Sequence, residues 1–148
     1  MFYNCKNIIN IDLSSFDTSN VTRMENMFKF CRNVKYINTS FINSKNVIIM
    51  KDMFYGCNNL VKIDLSSFNT QNVKDMSGMF YECNSLMNID LTSFDTDHVT
   101  NMEFMFFECN NVKYLDLSSF NIKIITNLGY LFYCCNALKF IDLSLFDT

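Results

Sequence analysis

Proline is absent from the 148 residues and glycine occurs only 3 times. Tight hairpins use Gly for positive φ and Pro for a preset φ, so an ordinary all-β sandwich with many such turns is excluded. Nowhere do about 18 apolar residues run together, the length a membrane-spanning helix needs. The opening MFYNCKNIIN has no basic stretch followed by an apolar one and does not read as a signal peptide. Positive charge is not in excess: the formal net charge is −3, the pI about 5.0, and no basic patch is visible. Nucleic acid is therefore not expected as a partner. G-x-S-x-G, a phosphate-cradling Gly loop, HExxH and Cys-x-x-Cys are all missing, and His98 is the one histidine. No enzymatic centre, cofactor or metal is expected. What is plentiful is apolar: 49% of residues are hydrophobic, with 16 Phe, 10 Met and 7 Cys. A chain of this length and composition can bury a real core.

The plentiful residues recur in strict phase. Met-Phe opens at Met1, Met27, Met53, Met79 and Met105, with Leu131-Phe132 as a sixth copy. Cys5, Cys31, Cys57, Cys83, Cys109 and Cys135 keep the same 26-residue step. The units are 1–26, 27–52, 53–78, 79–104, 105–130 and a shortened 131–148. Repeat positions 1, 2, 5, 8, 11, 13, 16, 21 and 24 stay apolar, with one lapse at Thr39. Nine such positions cannot close a core inside one unit, but stacked units pack column on column into one continuous core. One solenoid domain over 1–148 is the expectation.

Within a unit, Ile11-Asp12-Leu13 and Leu115-Asp116-Leu117 alternate with period two, as a strand does. Strands are expected at 10–14, 36–40, 62–66, 88–92, 114–118 and 140–143, parallel and about 4.8 Å apart. Met24, Met27, Phe28 and Cys31 have the spacing i, i+3, i+4, i+7, which predicts a short helical turn in each unit. Residues 21–24 of each unit read equally as a second short strand or as a helix start. Asp17-Thr18, Asn69-Thr70 and Asp95-Thr96 can turn the chain by bonding their own backbone, without Gly or Pro. The fold expected is thus an α/β repeat solenoid of six 26-residue coils. Its hand is expected to be right, by the general preference of parallel crossovers.

The L-x-x-I-x-L pattern resembles the leucine-rich repeats. IDLSSFDTSNVTRMENMFKFC, IDLSSFNTQNVKDMSGMFYEC and IDLTSFDTDHVTNMEFMFFEC more closely resemble the 26-residue surface-protein repeat of the BspA-like leucine-rich family. That resemblance implies a secreted or surface-displayed recognition array, adhering to host proteins or other cells. The second unit departs from it, with INTSFIN in place of IDLSSFD, and its strand is expected to pack least well.

Several columns bear chemistry. The cysteines read as a buried free-thiol ladder; stacked Cβ atoms about 4.8 Å apart are wider than the usual ~3.8 Å of a disulfide. Cys134, out of phase at repeat position 4, is the expected reactive thiol. Asp12, Asp64, Asp90, Asp116 and Asp142 form an acidic column interrupted by Asn38. It reads either as hydrogen-bonded to the Ser/Thr column two residues on or as a negative recognition strip. Metal binding is the weakest reading, because carboxylates in a row do not surround an ion. Aromatic columns stand at position 3 (Tyr3, Tyr55, Tyr81, Phe107, Tyr133) and position 10 (Tyr36, Tyr114, Phe140).

The strand face combines two of these columns. Tyr36, Asp64, Asp90, Tyr114, Asp116, Phe140 and Asp142 are therefore the candidate protein-binding residues, with the position-3 column next in line. Tyr is enriched among interface anchors, and exposed acids attract a basic partner. The function expected is a non-enzymatic recognition or adhesion module, a segment of a longer array, binding an extracellular or cell-surface protein. The alternative is a structural spacer. No membrane insertion by this segment is expected, and open ends of such a stack would permit end-to-end self-association.

Overall fold

The computed structural model describes residues 1–144 and 146; the end of the sixth unit, Leu145, Asp147 and Thr148, lies outside the described residues. Five short strands occur in order: β1 (Asn10–Ile11), β2 (Tyr36–Ile37), β3 (Lys62–Ile63), β4 (Tyr114–Asp116) and β5 (Phe140–Asp142). β1, β2 and β3 form one parallel sheet and β4 and β5 another. Every register pair joins equivalent positions of neighbouring units, as in Ile11↔Ile37, Ile37↔Ile63 and Leu115↔Ile141. The strand expected at 88–92 is reduced to one bridging residue, Asn88, paired with Tyr114. A second parallel column runs through the ambiguous stretch: Arg23, Ile49, Asp75, Asn101 and Asn127 bridge in turn, again one unit to the next. These pairings stack the coils of a repeat solenoid.

The helical turn per coil is not present; among the described residues there is no helix, and the α/β assignment is corrected to a stack of strands and turns. The reason lies in backbone conformation. Repeat position 26 has positive φ at Asn26, Asp52, Gly78, Phe104 and Tyr130, and position 4 has it at Asn4, Phe30, Gly56, Glu82, Glu108 and Cys134. A left-handed residue ends a right-handed helix, and each costs a non-glycine residue roughly 1–2 kcal/mol. The chain instead makes consecutive turns: Met53 N–H donates to the Met50 carbonyl at 3.2 Å, Tyr55 to Asp52 at 3.2 Å and Cys57 to Phe54 at 3.1 Å. Such a series repeats inward positions at intervals of three and four, which is why the spacing mimics a helix.

The left-handed turns aim every second amide at the next coil. Asp52 N–H reaches the Ser77 carbonyl at 2.8 Å, Gly78 that of Glu103 at 2.8 Å, Phe30 that of Tyr55 at 2.7 Å and Glu82 that of Phe107 at 2.8 Å. A buried amide without a partner costs about 1–3 kcal/mol, so the inter-coil bond offsets the strain that makes it.

Inside the coils the expected columns close on themselves. Phe28, Phe54, Phe80 and Phe106 are fully buried and stack with Phe2 and Phe132 at centroid separations of 5.7, 5.4, 5.6, 5.8 and 5.9 Å. Planes within 6–11° of parallel at that separation give the offset stacking that aromatic quadrupoles favour. Met50, Met53, Met76, Met79, Leu65 and Leu91 fill the adjoining columns. The second coil is not loosely packed, contrary to expectation. Thr39 is fully buried and its hydroxyl donates to the Asp64 carbonyl, while Ile37 pairs on both sides.

A hydroxyl column joins the coils at position 18. Thr70 Oγ1 donates to the Asp95 carbonyl at 2.9 Å and accepts from the Asp95 amide at 2.8 Å. Thr96 repeats this with Asn121 at 3.2 and 2.8 Å, and Ser44 with Asn69 at 3.0 and 2.8 Å. Each hydroxyl satisfies two backbone groups of the coil above. Thr96→Val, which keeps the shape and removes both bonds, is expected to lower the unfolding free energy by about 1–3 kcal/mol in urea titration. Thr100→Val, at an exposed position, is expected to cost less than that.

Candidate binding surfaces

The strand column carries the first surface. Tyr36, Tyr114 and Phe140 occupy the same register position, and each is 56% exposed. Beside them, two residues on, stands the acidic column. Its Oδ1 atoms are committed: Ser14, Ser66, Ser118 and Ser144 amides donate to Asp12, Asp64, Asp116 and Asp142 at 2.9, 3.0, 2.9 and 2.9 Å, and Thr92 N–H to Asp90 at 3.0 Å. Asn38 accepts from Ser40 in the same way at 3.1 Å, so the asparagine leaves the turn intact and removes only the charge. These bonds stabilise the ionised form. The hydroxyls and amides of Ser66, Thr92 and Ser118 hold Asp64, Asp90 and Asp116 below the usual carboxylate range. Each carboxylate keeps its second oxygen for solvent or a partner.

The surface is interrupted at its middle. The position-9 amide bond between neighbouring coils, seen as Lys35 to Ile9, Val61 to Lys35, Lys113 to Met87 and Lys139 to Lys113, has no counterpart between Met87 and Val61 among the described residues. A cleft opens there, lined by Lys62, Ile63, Asp64, Asp90 and Thr92. Asp64 and Asp90 thus face one opening, with Tyr114 one coil further and Tyr36 one coil before β3.

A second surface follows the left-handed positions. Tyr55 lies tilted against Tyr81 at 4.3 Å, Tyr81, Phe107 and Tyr133 stack at 4.5 and 4.8 Å, and Phe104 stacks on Tyr130 at 5.2 Å. Position 26 does not stand out in the sequence, since Asn26, Asp52, Gly78, Phe104 and Tyr130 share a backbone conformation and no side-chain chemistry. Lys29 lies over the Tyr55 ring, 4.3 Å from its centroid, and donates to Asp52 Oδ2 at 2.8 Å. Burial first, then the charges of Glu82 and Asp52, push the Tyr55 hydroxyl up to about 12. Burial and the neighbouring Glu108 raise Glu82, against the pull of Arg32.

The thiols form the third column. Cys57, Cys83 and Cys109 are buried and free, and each Sγ donates to the position-2 carbonyl of the preceding coil, at 3.2, 3.3 and 3.1 Å. Burial pushes all three thiols up, so little thiolate forms. Cys134 is partly exposed, at a left-handed position. No group of three or more His, Cys, Asp or Glu among the described residues could hold a metal ion.

Two outcomes are expected. A maleimide reagent applied to native protein is expected to modify Cys134 well before Cys31, Cys57, Cys83 and Cys109, all buried, as peptide mapping would record. Intramolecular disulfides along the ladder would overturn that order. The second concerns acid. Asp64, Asp90 and Asp116 titrate lower in the folded chain than unfolded, so their contribution is complete above the ordinary carboxylate range and lost as pH falls through it. Asn keeps the Oδ1 acceptor, as Asn38 does. The Asp64→Asn, Asp90→Asn, Asp116→Asn variant should therefore lose less stability than the parent between about pH 6 and about pH 3 in urea titration.

No curated protein matches the chain. A family model matches it twice, over residues 1–114 and 50–148, which together span every coil. Overlapping matches are what a strict 26-residue array gives, because one coil superposes on the next wherever the comparison starts. With its evenly spaced buried phenylalanines and cysteines, this chain belongs to the family described as Mycoplasma protein of unknown function, DUF285.

Proposed function

We propose that the chain is a non-enzymatic recognition module whose strand column engages a basic stretch of an extracellular or cell-surface protein. The observation that carries this reading is the exposure of Tyr36, Tyr114 and Phe140, each 56%, in register with a column of ionised carboxylates. Rings of that size in water cost free energy that a partner recovers by covering them. The carboxylates are held in fixed turns, so little side-chain entropy is lost when a cation meets them. Rows about 4.8 Å apart let contacts to an extended partner add from coil to coil. The cleft between Asp64 and Asp90 gives such a partner one deeper point of entry. Display at a cell surface or secretion, and kinship to the BspA-like repeats, belong to this same reading and rest on the resemblance of the repeat unit.

The test is binding of the purified chain to a panel of immobilised matrix and cell-surface proteins. The variant is Tyr114→Ala with Asp90→Asn and Asp116→Asn, checked first for an unchanged circular dichroism spectrum. Loss of an aromatic anchor and two charges is expected to weaken binding by roughly 30-fold or more. Raising salt from about 0.05 M to about 0.5 M should weaken the parent's binding as well, since exposed carboxylates are screened. Equal binding by parent and variant would place the partner elsewhere. Failure of the parent to bind any member of the panel would favour a spacer, a role for which Asn10, Lys62 and Asn88, the ringless members of the column, are suited.

A further inference from the structure

The left-handed column contains a notch one rung deep. Positions 25 and 26 read Lys51-Asp52 in the second coil, Ser77-Gly78 in the third and Glu103-Phe104 in the fourth. The small pair leaves a cavity lined by Asp52, Tyr55, Ser77, Gly78, Tyr81 and Phe104, with Lys51, Asn101 and Glu103 at its rim. Three features of this cavity point to a ligand. Asp52 Oδ2 accepts from Lys29 Nζ, while Oδ1 lies in the notch, in the space a Cβ on Gly78 would need. Phe104 is stacked by Tyr130 on the fourth-to-fifth coil side at 5.2 Å, with planes 3° apart, and no position-26 ring stands on the third-coil side. Tyr81 walls the notch, its ring 6.1 Å from that of Phe104.

We propose that this notch receives an arginine side chain of a partner protein. The guanidinium is planar, stacks on an aromatic face and carries donors in its own plane. Set on the third-coil side of Phe104, it would repeat the Tyr130 stack, and its edge would donate to Asp52 Oδ1. A neutral ring in the same place would lie against the Asp52 carboxylate. The rung below already works in this manner: Lys29 sits between the Asp52 carboxylate and the Tyr55 ring, 2.8 Å from one and 4.3 Å from the centroid of the other. Glu103 adds attraction across the rim; Lys51 opposes it, but is exposed and can extend into water. Gly78 is required, because the Asp52 carboxylate occupies the space its Cβ would need. The site lies on a different column from the strand face and holds whether or not that face binds.

The test uses the parent chain and three capped tripeptides, acetyl-Gly-X-Gly-amide, with X arginine, lysine or citrulline. Binding is read from amide resonances in a two-dimensional spectrum. The arginine peptide is expected to shift Ser77, Gly78 and Phe104 saturably and to leave Tyr36, Tyr114 and Phe140 unmoved. The citrulline peptide, equal in shape and uncharged, should bind roughly tenfold more weakly, and Phe104→Leu should weaken the arginine peptide by a similar factor. The lysine peptide should fall between the two. Equal shifts from arginine and citrulline would overturn the proposal, as would arginine shifts centred on the strand column or none that saturate. Because the peptide series is run on the unmutated protein, a variant that fails to fold does not remove the test.

Discussion

Every second backbone amide in the turns of each coil points along the stack, and only the next coil can satisfy it. The rest of the structure depends on that requirement. The left-handed residues at positions 4 and 26 carry it most directly: the conformation is unfavourable for Phe30, Glu82 or Phe104, and each is held there by an amide bond of 2.7–2.9 Å to the coil above. A coil alone would have the strain without the bond. Stability therefore resides in interfaces between coils, as in other repeat arrays.

Once every coil has the same length, like side chains meet like. For phenylalanine this is favourable, since offset rings stack along the axis at 5.4–5.9 Å. For cysteine it is tolerable, since each thiol turns to a carbonyl of the preceding coil rather than to its neighbour. For aspartate it opposes folding, and the Asx turn answers it by giving each carboxylate two local donors in Thr92 or Ser118. The same column thus does structural work with one oxygen and leaves the other facing outward. The recognition proposed for these acids would need no residue that folding does not already use.

Individuality enters where a column breaks. The Lys62 to Asn88 step loses a backbone bond and opens a cleft beside Asp64 and Asp90. The Ser77-Gly78 pair puts one small side chain and none where the coils on either side carry Lys51-Asp52 and Glu103-Phe104, and opens the notch beside Phe104. Both breaks fall at the middle of the described stack, where neighbouring coils hold the surrounding side chains in fixed positions.

The repeat length, the inward columns, the parallel pairing, the thiol ladder and the Asx turns at Asp17, Asn69 and Asp95 were legible in the sequence, because each depends on residue type recurring at one step. Exposure of Tyr36, Tyr114 and Phe140 followed from strand alternation in the same way. The turns between Met24 and Cys31 were not legible. Their inward spacing equals that of a helix, and the left-handed positions are occupied by Asn, Asp, Phe, Glu, Tyr and Cys, with Gly in only two places. Conformation there is decided by the hydrogen bond to the next coil, a contact almost a full repeat away that no local propensity records. The notch at Gly78 was hidden for the same cause. Its walls, Asp52, Tyr81 and Phe104, become neighbours only when three coils are stacked and the smallest pair of residues in the column falls between two larger ones.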